Sequence, residues 1–216
     1  MPRPSIAGRV WIVLGLVYLA FFCWYTSFRG PLTPEEIVHY RAVVADLSDD
    51  DPERIAAFQR FMETDTGDDF GMISFVDLKQ TPTLIEGVEP GESSEAVLDK
   101  YADPFFSRVV MLAAHPSLVG RAAAPAIDSW GIEGASDWND GIVVRWRSRR
   151  DFMQFVELMR DESNENDIHA FKVAAMEKTI AYPLDPWFHL GDPRLLLALV
   201  FAVIGLSVSP ASLRRG

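Results

Sequence analysis

Four histidines are the side chains of this sequence that are best suited to act as acids, bases or metal ligands near neutral pH. They are His39, His115, His169 and His189. No two of them stand at the spacing that places a pair of ligands on one face of a helix, and the single cysteine, Cys23, lies in an apolar run. The sequence therefore predicts no metal site.

Motifs of the common catalytic centres are missing from the sequence. It has no Walker-type glycine loop, no Gly-x-Ser-x-Gly elbow, no His-Glu-x-x-His and no Gly-x-Gly-x-x-Gly after a predicted strand. Carboxylates cluster at residues 49–51 and 65–69, but their spacing does not fit an EF-hand calcium loop. We interpret these clusters as solvated turns with helix caps, and we predict no bound cofactor.

Two arginines, Arg145 and Arg147, alternate at the end of a run of β-branched and aromatic residues that predicts a strand. Residues two apart on a strand point to the same face, so both guanidinium groups are expected opposite Trp146. Such a pair is suited to binding a carboxylate or a phosphate. The alternative is a solvated sheet edge, or an ion pair with Asp128 or Glu177.

An uncharged apolar run at residues 10–28 predicts a transmembrane helix near the N-terminus. As a helix it spans roughly 28 Å, close to the hydrocarbon thickness of a bilayer. Trp11 and Trp24 lie near its ends, where amphipathic rings favour the headgroup region. The residues after Cys23 offer no small-residue cleavage site, so we interpret the run as an uncleaved anchor rather than a signal peptide.

A second apolar run begins at Leu195 and, extended to Leu213, predicts another transmembrane helix. Its strictly apolar part, residues 195–208, is short for a membrane span, and a buried core helix or an interfacial segment is the alternative. Charges bracket the run at Arg194 and Arg214, which favours a span.

Charge predicts the topology of the chain. Of the 20 lysines and arginines, six lie at the flanks of the two apolar runs; the 14 others and all 31 acidic residues lie between residues 30 and 193, which gives that part a formal charge of −17. The positive-inside rule then puts residues 1–9 and both termini in the cytoplasm. The acidic domain is expected on the extracytoplasmic side of a bacterial inner or plasma membrane, and its charge argues against binding nucleic acid.

The periodicity of the central part predicts an α+β domain. A helical hairpin is expected at residues 32–66, and residues 70–186 then read as β-α-β-β-α-β, the pattern of the ferredoxin-like class. The predicted strands are residues 71–79, 119–130, 141–146 and 178–184. First and last strands are neighbours in that topology, so both membrane tethers are expected to leave the same side of the domain.

Four stretches of this domain resemble an uncharacterised branch of the dimeric α/β-barrel superfamily, a branch known only as domains of unknown function. They are VLDKY, VVMLAAHPSLVGRAA, DWNDGIVVRWRSRRDFMQFV and IHAFKVAAMEKTIAYPLDP. The resemblance covers residues 70–186. It implies a homodimer in which two sheets face each other and enclose a small cavity.

The candidate site follows from these residues and from the resemblance. His169, in the family-like segment, is the candidate catalytic residue. Arg145, Arg147, Trp130 and Glu177 are the candidate ligand-binding residues, although for Trp130 and Trp138 a core position is favoured over a place in the cavity wall.

Three functions remain open at this stage. The first is a membrane-anchored homodimer that binds a small ligand or a protein without catalysis. The second is an oxygenase-like or isomerase-like enzyme acting on a small organic molecule in the cavity. The third is a structural component of a membrane complex. No nucleophile or acid–base pair is evident in the sequence, which favours binding.

Overall fold

A computed structural model describes residues 5–47, 51–132, 134, 137–163, 168–187 and 189–209. In these residues the chain is a mixed α+β protein with a four-stranded antiparallel sheet and seven helices. It divides into two compact units, one formed by Met1–Ser27 with Trp187–Gly216 and the other by Phe28–Pro186. Some residues on which the sequence analysis depends lie outside the described residues. They are the flanking arginines Arg3, Arg214 and Arg215 and the clustered carboxylates Asp49 and Asp50.

In the described part of the chain, seven helices and four strands follow one another. The helices are α1 Ile6–Tyr25, α2 Pro34–Leu47, α3 Pro52–Glu63, α4 Ser94–Val109, α5 Arg149–Ser163, α6 Ile168–Ala175 and α7 Pro193–Ser207. The strands are β1 Phe70–Leu78, β2 His115–Arg121, β3 Asp140–Trp146 and β4 Met176–Leu184. A short 3₁₀ turn, Val110–Leu112, follows α4.

Side-chain caps fix where several helices begin. Thr33 and Glu36 form a reciprocal capping box before α2, since each backbone N–H donates to the other side chain, at 2.8 and 3.2 Å. Ser148 opens α5 in a related way, accepting from the backbone N–H of Asp151 at 3.1 Å while its hydroxyl donates to the Asp151 carboxylate at 2.6 Å. The sequence carries the pattern of such a box at both places, Thr-Pro-Glu-Glu at 33–36 and Ser-Arg-Arg-Asp at 148–151.

The sheet has the strand order β2-β3-β1-β4, and all three pairings are antiparallel. In the central register Ile73 of β1 stands opposite Val143 of β3 on one side and Tyr182 of β4 on the other. Because side chains of directly paired residues point to the same face, this register fixes which residues share a face.

The second strand differs from the one predicted at residues 119–130. It begins earlier, at His115, directly after a left-handed turn at Ala113 (φ 53°), and it ends at Arg121. Pro116 lies on this edge strand, where the register shifts before Leu118. No helix or strand occurs in the described residues between Arg121 and Asp140.

The inner face of the sheet builds the main core. Phe70, Val144 and Trp146 are at most 6% exposed and pack against buried side chains of the helices, such as Met153 and Phe155. The Trp146 ring meets the Phe152 ring edge to face, 5.0 Å apart between centroids, and lies tilted against the Phe155 ring at 5.4 Å. Such pairs add to the stability gained from burial alone.

The helical hairpin α2–α3 belongs to this same core. Tyr40, Val43 and Val44 of α2 and Phe61 and Met62 of α3 are all buried in the cluster that contains the inner face of the sheet. A smaller second core joins α4 to α6 through Val97, Ala174 and Ala175.

The two terminal helices of the first unit contact each other in antiparallel fashion. Near the start of α1 the Trp11 indole N–H donates to the Ser209 hydroxyl at 3.2 Å, and a side chain at Gly205 would collide with the Trp11 ring. At the other end of the pair Arg194 lies over the Tyr25 ring, 5.5 Å from its centroid. Small residues allow such close helix packing in membranes.

Among the residues that the structure describes, one helix, α1, is long and apolar enough to cross a bilayer. It starts at Ile6, before the predicted residue 10, and ends at Tyr25 rather than at residue 28. The predicted span at 195–213 corresponds to α7, which has 15 residues and falls short of a membrane-spanning length; positions 210–213 lie outside the described residues.

Candidate functional site

The outer face of the sheet is apolar and open. Phe75 of β1 is 41% exposed, Leu118 of β2 is 64% exposed and Tyr182 of β4 is 55% exposed. The register places all three on the face opposite to the core, together with the half-buried side chains of Ile73 and Val143. Surface hydrophobic residues are ordinary when they are scattered, but a contiguous patch of them marks an interaction site.

A pocket of about 400 Å³ lies on this face. Its floor is formed by strand residues that include Ile73, Phe75 and Val143, and its wall by Trp138 and the segment that follows β2. From that segment Ala122, Ala124 and Ala126 line the pocket. Small-molecule sites commonly have ~300–1,000 Å³ and mainly apolar walls, so this pocket has the size and chemistry for a small apolar ligand.

Two aromatic rings define one end of the pocket. The Phe75 and Trp138 rings lie 6.1 Å apart between centroids, and the Lys178 ammonium stands 5.0 Å above the Trp138 ring. A Cβ atom at Gly141 would come within 3.3 Å of the Phe75 ring. Glycine at that position therefore allows the ring to lie across β3.

Charged groups at the rim of the pocket occur in ion pairs. Arg121 contacts Asp140 at 3.4 Å and Glu95 at 3.9 Å, and Lys178 contacts Asp77 at 3.5 Å. Lys178 and Asp77, which lie on the outer face, therefore offset each other's charge, although the domain around them is strongly acidic. Exposed pairs of this kind contribute little to stability.

The structure accounts for Arg145 without a ligand. As predicted, it lies on the face opposite Trp146, but its side chain is only 5% exposed. It donates to the Asp69 carboxylate at 2.9 Å and to the Ala113 carbonyl at 3.0 Å. The predicted alternatives, Asp128 and Glu177, are not the partners that these bonds identify. Arg145 thus ties the start of β1 to the turn before β2.

The predicted pairing of Arg147 with Arg145 on one strand face is wrong. The strand ends at Trp146, so Arg147 follows it and donates to Asp151 in the first turn of α5, at 2.9 Å. Its pKa is raised because the hydrogen bond to Asp151 favours the charged form. The two guanidinium groups therefore serve two separate contacts.

The remaining predicted site residues are dispersed. His169 is exposed on α6, where its ring meets Tyr101 of α4 at 6.4 Å between centroids. Burial raises the pKa of Tyr101 to about 12. Glu177 is exposed on β4, and Trp130 is 93% exposed after β2. None of these residues lines the pocket, whereas Trp138 does.

Two neighbouring arginines bind the first and the last residues of the compact unit Phe28–Pro186, which we call the sheet unit. Arg150 donates to the carbonyls of Gly30 and Pro31, at 3.0 and 2.7 Å, and to the Glu36 carboxylate. Arg149 donates to the Asp185 carboxylate at 2.9 Å. The segments that lead to α1 and to α7 therefore leave this unit side by side, at the edge of the sheet where β3 ends.

The carboxylates of this arginine cluster are not solvated turns. The Asp65 side chain is only 2% exposed, accepts from the backbone N–H of Leu32 at 2.8 Å and faces Arg149 at 3.9 Å. The Arg150 hydrogen bond lowers the pKa of Glu36 to about 2. The sequence analysis missed this role, although four arginines within residues 145–150 were the available sign.

No group of three or more histidine, cysteine, aspartate or glutamate side chains in the described residues is arranged to hold a metal ion. The pocket itself offers one arginine and one aspartate, which are paired with each other. The arrangement can enclose an apolar molecule, but it presents no nucleophile next to a base.

No protein-family model and no curated protein matches this chain. Two solved structures are similar to part of it. The methylated RPA0582 protein is 16% identical and covers 63% of this chain and 93% of its own, with a TM-score of 0.48. The RPA0582 protein of unknown function from Rhodopseudomonas palustris is 17% identical and covers 62% and 94%, with a TM-score of 0.44. Both are structures of the same protein, which is described as a protein of unknown function.

Proposed function

We propose that this chain is a membrane-anchored homodimer of ferredoxin-like domains that binds a small apolar ligand between its two sheets. The observation that carries the proposal is the open apolar outer face, with its pocket of about 400 Å³. The strand order β2-β3-β1-β4 supports the ferredoxin-like assignment, since this class places its first and last strands side by side.

Burying the apolar outer face against a second apolar surface is energetically favourable. Exposed apolar surface is unfavourable by roughly 25 cal/mol per Å², so a contiguous patch gains stability when another apolar surface meets it. The helices of this chain already cover the inner face, and the outer residues Phe75, Leu118 and Tyr182 remain in contact with solvent. A second sheet of the same kind is complementary to this patch.

The charges on the outer face allow a second copy of the chain to bind there. The domain as a whole is strongly acidic, so two copies repel each other at most relative orientations. On the outer face, however, Asp77 is paired with Lys178. Two copies that meet there do not bring two unpaired Asp77 carboxylates together.

Binding is favoured over catalysis by the use already made of the polar candidates. Arg145 and Arg147 are engaged by Asp69 and Asp151, and His169 lies on a helix away from the residues that line the pocket. A catalytic centre needs polar groups that converge on the bound molecule. The walls of this pocket are apolar apart from the Arg121–Asp140 pair.

The membrane anchor follows from α1 and from the two ends of the sheet unit. The helix is long enough for a span, and Arg149 and Arg150 gather the segments toward α1 and α7 at one edge of the sheet. Both tethers then enter the same bilayer. The charge pattern supports cytoplasmic termini and an extracytoplasmic acidic domain, and repulsion from phosphate argues against nucleic acid as a partner.

Native mass spectrometry of the full chain, released from detergent micelles, tests the proposal. We expect a dimer that carries an additional non-protein mass. Ile73→Asp, which puts a charge at the centre of the outer face, should give monomers. Val38→Asp is the matched control, because Val38 is 67% exposed on α2, and it should remain dimeric.

The ligand is tested by Trp138→Ala, which should keep the dimer and lose the additional mass, because the pocket loses a wall. A wild-type chain that is monomeric at every concentration would overturn the proposal. A dimer that never carries an additional mass would remove the ligand and leave the homodimer.

A further inference from the structure

The segment after β2 exposes large apolar side chains that no part of the sheet unit explains. We call residues 122–132 the arm. Ile127 is 98% exposed, Trp130 is 93% exposed and Ile132 is 67% exposed. Asp128 is the single charged residue of the arm. Tryptophan and isoleucine side chains exposed to this extent are unfavourable in an isolated chain and mark a contact surface.

The arm lies on the outer side of the sheet. Its first residues, Ala122, Ala124 and Ala126, line the pocket above the outer face, together with Phe75 and Val143. The exposed residues Ile127 and Trp130 come directly after this lining part. Whatever approaches the outer face of the sheet therefore also meets the arm.

The arm and the two chain ends of the unit Phe28–Pro186 lie at opposite ends of the sheet. The arm leads into the start of β3 at Asp140, whereas the chain ends are held by Arg149 and Arg150, just beyond the end of β3 at Trp146. Seven residues of strand separate the two edges, which is roughly 23 Å at about 3.3 Å per residue. The arm thus lies at one end of the strands, and the chain segments that Arg149 and Arg150 hold lie at the other end.

The outer face alone is small for a stable dimer. Four strands about 4.8 Å apart and roughly 23 Å long give a face of about 440 Å². A standard interface buries about 800 Å² on each side. Ile127, Trp130 and Ile132 supply additional apolar area next to that face, and exposed tryptophans are frequent anchors of interfaces.

We infer that the arm of each copy packs Ile127 and Trp130 against the outer strands of the second copy. The inference rests on the proposed homodimer and deepens it. A twofold dimer uses the same surface on both sides, so each arm finds on the other copy the apolar residues that its own sheet presents. Leu118 and Tyr182, on the two edge strands, are the exposed residues available to receive it.

Dimer dissociation of the full chain in detergent, measured by dilution with mass photometry, is the first test. Trp130→Ala should raise the dissociation constant at least tenfold, because a buried tryptophan anchor is lost. Trp187→Ala is the matched control: Trp187 is 97% exposed but lies outside the arm, and its loss should leave the constant unchanged.

Cross-linking identifies what the arm touches. Cys23 is the only cysteine, so Cys23→Ser with Trp130→Cys leaves one thiol for a benzophenone maleimide. Light and isotope-labelled chains are mixed before illumination. We expect cross-linked peptides of mixed isotope, joining the arm to β2 or β4 of the other copy.

The outcomes separate the two proposals. A monomeric wild type would overturn the homodimer and, with it, the role of the arm. A dimer that is unaffected by Trp130→Ala, or cross-links confined to one chain or to lipid, would overturn the role of the arm while the homodimer stands.

Discussion

The inner face of the sheet buries Phe70 and Trp146 under helices of the same chain, with at most 1% of either residue exposed. On the outer face Phe75 and Tyr182, side chains of the same kind, are 41% and 55% exposed. Composition therefore does not distinguish the two faces. The difference is that helices of this chain pack against the inner face and leave the outer face exposed.

This comparison explains which residues hold the chain together and which are available for function. On the inner side the arginine cluster and the aromatic core fix the hairpin, the sheet and the two chain ends. On the outer side the Lys178–Asp77 ion pair is partly exposed and the aromatic rings line a pocket. The experiments below test that division.

Truncating one aromatic ring on each face should give the largest contrast. Trp146→Ala removes a fully buried ring and should lower the free energy of unfolding by about 3–5 kcal/mol. Tyr182→Ala on the outer face should cost less than about 1 kcal/mol at concentrations where the chain is monomeric. Urea unfolding of the full chain in detergent measures both, and equal losses would contradict the division.

Arginines give the second contrast. Arg149→Met removes a guanidinium that faces the buried Asp65 carboxylate, together with its bonds to Phe61 and Thr64, so we expect a loss of about 3 kcal/mol in unfolding free energy. Arg121→Met, whose side chain is 70% exposed, should change it by less than about 0.5 kcal/mol. A mild effect of Arg149→Met would show that the cluster does not hold the chain ends.

Acid should weaken the ion pair between Arg150 and Glu36, which holds the N-terminal segment of the sheet unit. Its folded pKa is lowered to about 2 from the ordinary value of 4.5, mainly by the hydrogen bond from Arg150. The stabilisation is therefore complete above pH 4.5 and is lost as the pH falls toward 2. Melting temperatures measured from pH 6 to pH 2.5 should fall less steeply for Glu36→Gln than for the wild type; parallel curves would exclude this linkage.

The smallest effect is expected for His169. It is exposed on α6, so His169→Ala should change the unfolding free energy by less than about 0.5 kcal/mol and leave the dimer and any bound mass unchanged. Loss of the bound mass in native spectra of this variant would return His169 to the site.

Local sequence rules predicted much of the fold. The spacing of apolar residues and the capping patterns at Thr33 and Ser148 predict the helices, and runs of β-branched and aromatic residues predict β1 and β3. The limits of β2 were missed, because Pro116 reads as a break and an edge strand tolerates it.

The candidate site was harder to predict, because it depends on contacts between distant parts of the chain. Arg145 reads as a ligand-binding residue until Asp69, 76 residues away, is seen beside it. The pocket depends on the register that puts Gly141 under Phe75 and on the path of the segment after β2. Neither the register nor that path leaves a periodic pattern in the sequence.

Cross-linking across the outer face tests the central claim most directly. In a Cys23→Ser background, Val143→Cys places the only thiol on the outer face of the sheet, and Gln154→Cys places it on the exposed side of α5. A short bifunctional maleimide applied to membranes containing the full chain should give covalent dimers with Val143→Cys and not with Gln154→Cys. Equal cross-linking at both positions, or none at residue 143, would contradict a dimer that meets through this face.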